Sequence, residues 1–83
     1  MVAELRIEYQ EDSDIRIISK CPSYIGQDED EIDDLVCGRM NPDTGEIEYI
    51  EVVFFKARLK KEGKVVLPID ATLRFVESEV SAD

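Results

Sequence analysis

The sequence contains no histidine and no tryptophan, and its only cysteines are Cys21 and Cys37. The lack of histidine removes the commonest metal-binding side chain and the usual general base near neutral pH. The two cysteines do not form a C-x-x-C pair, so their spacing supports neither a zinc site nor a thioredoxin-like redox motif. We therefore predict two reduced thiols that pack as small apolar groups, with a disulfide between them as the less favoured alternative. We expect no cofactor.

Long apolar runs are also missing. No segment approaches the roughly 20 apolar residues that cross a bilayer. The first residues, Met1 to Tyr9, show neither the basic start nor the apolar run of a secretion signal. We therefore expect a cytoplasmic protein that does not associate with membranes.

Basic residues are scarce, with ten against twenty acidic ones and a formal net charge of -10. A surface of this charge repels phosphate backbones, so nucleic acid is not the expected partner. Half of the basic residues nevertheless lie between Lys56 and Lys64. This segment could face an acidic surface, including one on a second copy of the chain.

The 83 residues leave room for one small domain. We place it at residues 1–76, followed by a flexible acidic tail at residues 77–83. Its clearest signal is a β-hairpin between Asp34 and Leu59, where the turn sequence N-P-D-T-G separates two apolar runs. An earlier hairpin is predicted from Glu4 to Ser19, because an alternating strand and a β-branched run flank a polar turn.

The later hairpin changes phase in its second strand. Ile47 and Tyr49 share one phase, whereas Ile50 and Val52 share the other. This pattern predicts either a bulge near Tyr49 or a strand that is covered on both faces.

The segment after this strand fits two structures. Alternation of apolar and basic residues favours a continued strand over residues 51–60 and an all-β fold. Phe55 and Leu59, one helical turn apart with Gly63 as a cap, favour a short helix at residues 54–61. Residues 64–76 resemble a C-terminal strand, in which Pro68 indicates an edge position or an interruption.

Two groups of carboxylates are candidates for metal binding or acid–base catalysis. Six of the seven residues Asp28–Asp34 are acidic, with Ile32 as the exception. They lack the central glycine of an EF-hand, so we predict a solvated loop without a metal. Glu11, Asp12 and Asp14 lie in a polar turn, which offers little of the burial that separates two pKa values for acid–base catalysis. We therefore predict no catalytic residue, no metal ligand and no enzyme.

Each of the two predicted hairpins contains a short sequence motif. The first contains Tyr9, Asp12, Asp14 and Ile18, and the second contains Gly45, Ile50, Glu51 and Val52. They resemble the motifs Y-D-x-E-x-D-x-L-Y-I and D-x-x-G-x-x-x-G-I-E-I of a small prokaryotic family, the domain of unknown function number 2283. The resemblance implies a compact antiparallel sheet followed by a short helix, which favours the helix for residues 54–61. It implies no activity and no catalytic residues.

We therefore predict an α+β domain with a mainly antiparallel sheet, built from two successive hairpins plus a C-terminal strand, and one short helix. We expect it to act by contact with a protein partner or with itself, as a homodimer. The candidate interaction surface consists of Tyr49, Phe54, Phe55, Lys56, Arg58, Lys60 and Lys61. An antitoxin-like DNA-binding regulator is the alternative, because G-K-V-V-L-P at residues 63–68 resembles a strand of swapped-hairpin transcription factors. A carboxylate- or metal-dependent enzyme is the second alternative.

Overall fold

The computed structural model of the chain describes residues 4–76, and the five strands in that range form one antiparallel sheet. The strands are β1 (Arg6–Gln10), β2 (Ile15–Ser19), β3 (Asp28–Asp33), β4 (Val36–Met40) and β5 (Ile47–Val53), and a helix, α1 (Phe55–Glu62), follows. Their order across the sheet is β1-β2-β5-β4-β3. The predicted α+β class, mostly antiparallel sheet with one short helix, is therefore confirmed. The all-β alternative with a strand over residues 51–60 is wrong.

The β4–β5 hairpin forms at the predicted turn. Asn41 organises it, because its Oδ1 accepts the backbone N–H groups of Asp43 and Thr44 at 2.8 and 3.1 Å. The N–H of Gly45 donates to the carbonyl of Asn41 at 2.8 Å. Gly45 has a φ of 77°, and glycine adopts this conformation without a Cβ penalty.

A β-bulge in β5 accounts for its two hydrophobic phases. Arg39 pairs with Tyr49 and Met40 pairs with Ile47, which leaves Glu48 without a residue opposite. The extra residue places Ile47 on the same face as Ile50. The predicted irregularity near Tyr49 is confirmed.

The two faces of the sheet differ in what covers them. Directly paired residues lie on the same face, and the register brings together Val36, Ile50 and Val52, which are at most 5% exposed. We call this side the helix face, because the first residue of α1 packs on it together with part of the C-terminal segment. The covering residues are Phe55, Val65, Leu67 and Ile69. The opposite side, which carries Tyr49 and Glu51 and the buried Ile17 and Ser19, has no helix over it and is called the open face.

The acidic segment Asp28–Asp33 forms an edge strand, so the prediction of a loop is wrong, although its carboxylates are exposed as expected. An edge strand leaves each carboxylate in water, and repulsion therefore does not prevent pairing with β4. Ile32 lies at a bulge and packs over Gly38, where an added Cβ would lie 3.2 Å from Ile32 Cγ2. This apolar contact attaches β3 to the helix face.

Helix α1 begins after Phe54, whose φ of 57° turns the chain away from β5. It ends at Glu62, and the C-cap residue Gly63 has a φ of 77° and donates its N–H to the carbonyl of Leu59 at 2.7 Å. The predicted cap at Gly63 is confirmed, and the helix lies one residue later than the predicted range 54–61.

No strand forms over residues 64–76, so the predicted C-terminal strand is wrong. Val65, Leu67 and Ile69 pack against the core on the helix face. A segment that lies across a face does not reach the hydrogen-bonding groups of an edge, and Pro68 has no N–H to donate. The predicted tail at residues 77–83 lies outside the described residues. Among residues 4–76 no helix is long and apolar enough to cross a membrane.

Candidate functional site

The predicted interaction residues fall on two sides of the sheet. Six of them lie on α1 or directly before it, namely Phe54, Phe55, Lys56, Arg58, Lys60 and Lys61. Tyr49 pairs with Ser19 and Arg39 on the open face. The ring of Tyr49 lies 5.3 Å from the Arg39 guanidinium. The seven residues therefore do not form one continuous surface.

Phe55 and Lys56 make contacts within the chain. The Arg16 guanidinium lies 4.7 Å from the ring centroids of both Tyr9 and Phe55, whose centroids are 6.4 Å apart. The Lys56 ammonium lies 5.7 Å from the Tyr9 ring. Cations are attracted to the faces of aromatic rings, so these four side chains connect β1, β2 and α1.

The carboxylate of Asp14 caps α1 from the β1–β2 turn. Phe54 occupies the N-cap position without a side-chain cap. Asp14 Oδ1 and Oδ2 accept the backbone N–H groups of Lys56 and Ala57 at 2.8 and 3.3 Å, and the Tyr9 hydroxyl donates to Oδ1 at 2.7 Å. The Tyr9 hydroxyl and then the Lys56 N–H hold the pKa of Asp14 below its ordinary value. Asp14 is thus engaged in holding the helix in place.

The other basic residues of α1 divide into an anchored one and an exposed pair. Arg58 Nε donates to the carbonyl of Val53 at 2.9 Å, and its Nη2 donates to the carbonyl of Asp34 at 2.5 Å. Lys60 and Lys61 are exposed in the last turn, where positive charge is favourable at the helix C-terminus. Arg58 therefore serves the fold, and Lys60 and Lys61 present their charge to solvent.

A second polar cluster surrounds Glu48 at the bulge. Its Oε1 accepts the Tyr24 hydroxyl at 2.7 Å and Gln27 Nε2 at 2.9 Å, and its Oε2 accepts Asn41 Nδ2 at 3.2 Å. The Tyr24 bond contributes most to lowering the pKa of Glu48, and the same bond raises the pKa of Tyr24 to about 12. The cluster holds the loop between β2 and β3 against the β4–β5 hairpin. Sequence reasoning missed it, although the phase change beside Tyr49 marks its position.

Both cysteines are free thiols. Burial raises the pKa of Cys21, and the nearby Glu48 carboxylate raises it further. Burial also raises the pKa of Cys37, with additional effects from Glu51 and Glu29. A thiol with a raised pKa stays protonated near neutral pH and is a poor nucleophile.

The carboxylates of the acidic segments diverge. Successive side chains of β3 point to opposite faces of the sheet, which separates Asp28 from Glu29. Glu11 and Asp12 are exposed in their turn. In the range 4–76, no group of three side chains from histidine, cysteine, aspartate and glutamate could hold a metal ion.

An apolar groove of about 990 Å³ lies on the helix face over β2 and β5, bordered by Glu4 and Leu5 just before β1 and by residues 69–76. Its apolar lining includes Leu5, Ile18, Ile47, Ile50, Leu73 and Phe75. Leu5, Leu73 and Phe75 are 54%, 82% and 93% exposed. The sequence signal for such a groove is that one short helix covers only part of a five-stranded face.

Comparisons with known protein families, with curated proteins and with solved structures found no match to this chain. The resemblance to the family of unknown function number 2283 therefore stays a prediction.

Proposed function

We propose that this chain is a small, non-enzymatic cytoplasmic module that acts by protein–protein contact and associates with itself. The supporting observation is the exposed apolar surface around the groove, which comprises Leu5, Ile7, Leu73 and Phe75. All four are more than half exposed. The resemblance to the domain of unknown function number 2283 fits this proposal, because that family carries no known activity.

Apolar surface of this kind favours association. Removing it from water contributes roughly 25 cal/mol for each Å² buried, and monomeric proteins rarely expose large contiguous apolar patches. A second copy of the chain brings an identical apolar surface. A two-fold symmetric dimer is the simplest closed arrangement that buries both.

The DNA-binding alternative depends on the basic residues of α1 and on the segment after it. Lys56 lies against Tyr9 and Arg58 donates to two backbone carbonyls, and Lys60 and Lys61 form an exposed basic pair in the last turn of the helix. Residues 63–68 form no strand, whereas the antitoxin-like arrangement uses one. This alternative predicts binding to duplex DNA at low salt that is lost in Lys60→Glu/Lys61→Glu, and a flat titration removes it.

The enzyme alternative depends on carboxylates, and in its metal-dependent form these carboxylates bind a metal ion. Calorimetric titration of the chain with calcium, magnesium and manganese tests its most accessible form. Heat from a saturable site would support that alternative, and three flat titrations would remove it.

Sedimentation velocity over a wide range of protein concentration tests self-association. We expect the weight-average sedimentation coefficient to rise with concentration towards that of a dimer. Leu73→Ser/Phe75→Ser should shift the transition to higher concentration, and Val66→Ser, which changes an exposed residue outside the groove lining, is the matched control. A strict monomer at the highest concentration would contradict the proposal.

A further inference from the structure

The two edge strands of the sheet, β1 and β3, differ in how readily they could pair with a further strand. β3 carries five carboxylates and a bulge, and both features hinder the addition of another strand. β1 pairs with β2 without any register shift and contains no proline. Its outer side pairs with no other strand of the described residues. β1 is therefore the edge that can accept a strand.

The sequence of β1 is complementary to itself in one antiparallel register. Arg6 and Glu8 pair with Ser19 and Ile17 of β2 and so project on the open face, while Ile7 projects on the helix face. Placing Ile7 opposite its own copy puts Arg6 of each chain opposite Glu8 of the other. Each of the two charged pairs then joins a positive side chain to a negative one.

Neighbouring registers lack this match. A register with Glu8 opposite Glu8 places two carboxylates together, and cross-strand pairs of like charge are unfavourable. A shift by one residue places the helix face of one copy beside the open face of the other, because side chains alternate along a strand. It would separate the exposed apolar residues of the two copies onto opposite sides of the joined sheet.

We propose that two copies of this chain pair through their β1 strands, antiparallel, with Ile7 opposite Ile7 and Arg6 opposite Glu8. This inference rests on the self-association proposed above and assigns its partner surface. The two five-stranded sheets become one continuous sheet. Leu5 of each copy meets Tyr9 of the other on the helix face, so Leu5 and Ile7, which are 54% and 61% exposed in one copy, become covered.

A charge-reversal cycle tests the register. Arg6→Glu and Glu8→Arg each create two like-charge pairs in the symmetric dimer, so each should raise the dimer dissociation constant by about tenfold. The double variant Arg6→Glu/Glu8→Arg exchanges the charges and should restore affinity. In an equimolar mixture of the two single variants, the heterodimer should be tighter than either homodimer, because it again pairs opposite charges. Lys64→Glu and Glu62→Arg change the net charge equally away from β1 and are the matched controls.

Disulfide trapping provides an independent measurement, made in a Cys21→Ser/Cys37→Ser background. Cβ atoms of directly opposite residues lie about 4.5–5.5 Å apart, close enough for a disulfide after a small adjustment. Ile7→Cys should therefore give a covalent dimer on mild oxidation. Glu8→Cys should not, because it lies opposite Arg6 of the second copy. Circular dichroism establishes that each variant is folded.

The outcomes separate the two proposals. Restoration by the double variant, together with selective trapping through Ile7→Cys, supports the β1 register. A dimer that is insensitive to both charge reversals, or that is trapped equally through Glu8→Cys, overturns the register while self-association stands. A wild-type chain that stays monomeric at every concentration overturns both.

Discussion

Asp14 holds Lys56 across 42 residues of sequence, with its Oδ1 accepting the Lys56 backbone N–H at 2.8 Å. The carbonyl of Asp14 also accepts the N–H of Phe55 at 3.1 Å. The turn of the first hairpin thereby supplies the acceptors that the first turn of α1 lacks locally. Asp14, which has a φ of 56°, thus helps to fix the helix over the sheet, together with the packing of Phe55 and the backbone hydrogen bonds of Arg58.

Replacing Asp14 with alanine should lower the Tm by about 5 °C, because the helix loses its cap and alanine is strained at positive φ. Asp14→Asn should have a smaller effect, since asparagine tolerates this φ and keeps an acceptor oxygen. Thermal unfolding by circular dichroism measures both. Asp12→Ala in the same turn is the control, because the Asp12 carboxylate makes no hydrogen bond to the described residues. An equal loss in Asp12→Ala would contradict the capping role.

Acid should release the same cap. The fold lowers the pKa of Asp14 from its ordinary value of 3.8, chiefly through the Tyr9 hydroxyl and then the Lys56 N–H. Its contribution to stability is therefore present above the ordinary pKa and is lost as pH falls through the lower folded value. Hydrogen exchange at the Lys56 and Ala57 amides, corrected for intrinsic rates, should accelerate over that window. In Asp14→Asn the corrected rates should not show this step.

Tyr24 should stay protonated well above neutral pH. Its hydrogen bond to Glu48 raises the pKa from 10.0 to about 12, so this contribution to stability is complete below the ordinary value and is lost as pH rises through about 12. The ζ-carbon resonance of Tyr24 should therefore be largely unshifted at about pH 11. Glu48→Gln should move its midpoint back towards the ordinary value, whereas Glu46→Gln in the neighbouring turn should leave it in place. No difference between the two variants would contradict the assignment.

Val52 should be among the most costly residues to truncate, because it is 1% exposed at the centre of the core. Val52→Ala removes two buried methyl groups and should cost about 2 kcal/mol of unfolding free energy. Val66→Ala, at a position that is 71% exposed, should change it by less than about 0.5 kcal/mol. Urea unfolding measures both as shifts of the midpoint at constant slope. Comparable costs would contradict the placement of the core.

Salt should strengthen self-association. Each chain carries a formal charge of -10, so two copies repel each other, and screening of this repulsion outweighs the weakening of two exposed Arg6–Glu8 pairs. Raising the salt from about 0.05 M to about 0.5 M should lower the dimer dissociation constant by at least about tenfold. Sedimentation at both salt concentrations measures the change. Weakening by salt would indicate an interface held by opposite charges, such as the lysines of α1 against β3.

Local signals predicted much of the fold. The N-P-D-T-G turn, the phase change beside Tyr49 and the glycine after α1 each act within a few residues, and the structure contains all three features. The acidic strand was missed because repulsion among its carboxylates is visible in the sequence, whereas the contact of Ile32 with Gly38 depends on strand pairing. In the C-terminal segment, where a strand was predicted over residues 64–76, the half-buried Val65, Leu67 and Ile69 alternate with exposed residues. Alternation reports an extended chain with one buried side, and it does not report whether a strand edge lies within reach.

The candidate sites were harder to predict, because each depends on residues that are distant in sequence. Asp14 looked like a turn-former, and its contact with α1 appears only once the helix packs beside the first hairpin. Glu48 is an ordinary strand glutamate until the bulge turns it towards Tyr24 and Gln27. Tyr49 and Phe55 were grouped by composition, but the register of β5 places Tyr49 on the open face, whereas Phe55 packs on the core at the helix face.

If the proposed dimer forms, the carboxylates of β3 would also limit how large the assembly can become. When two β1 strands are joined, both ends of the combined sheet are β3 strands. Each end presents a row of negative charge to any approaching strand, so a third copy finds no edge to extend. The acidic strand, which the sequence suggested was a solvated loop, would thus block the addition of a further strand. It would limit the assembly to two copies and protect it from fibrous polymerisation.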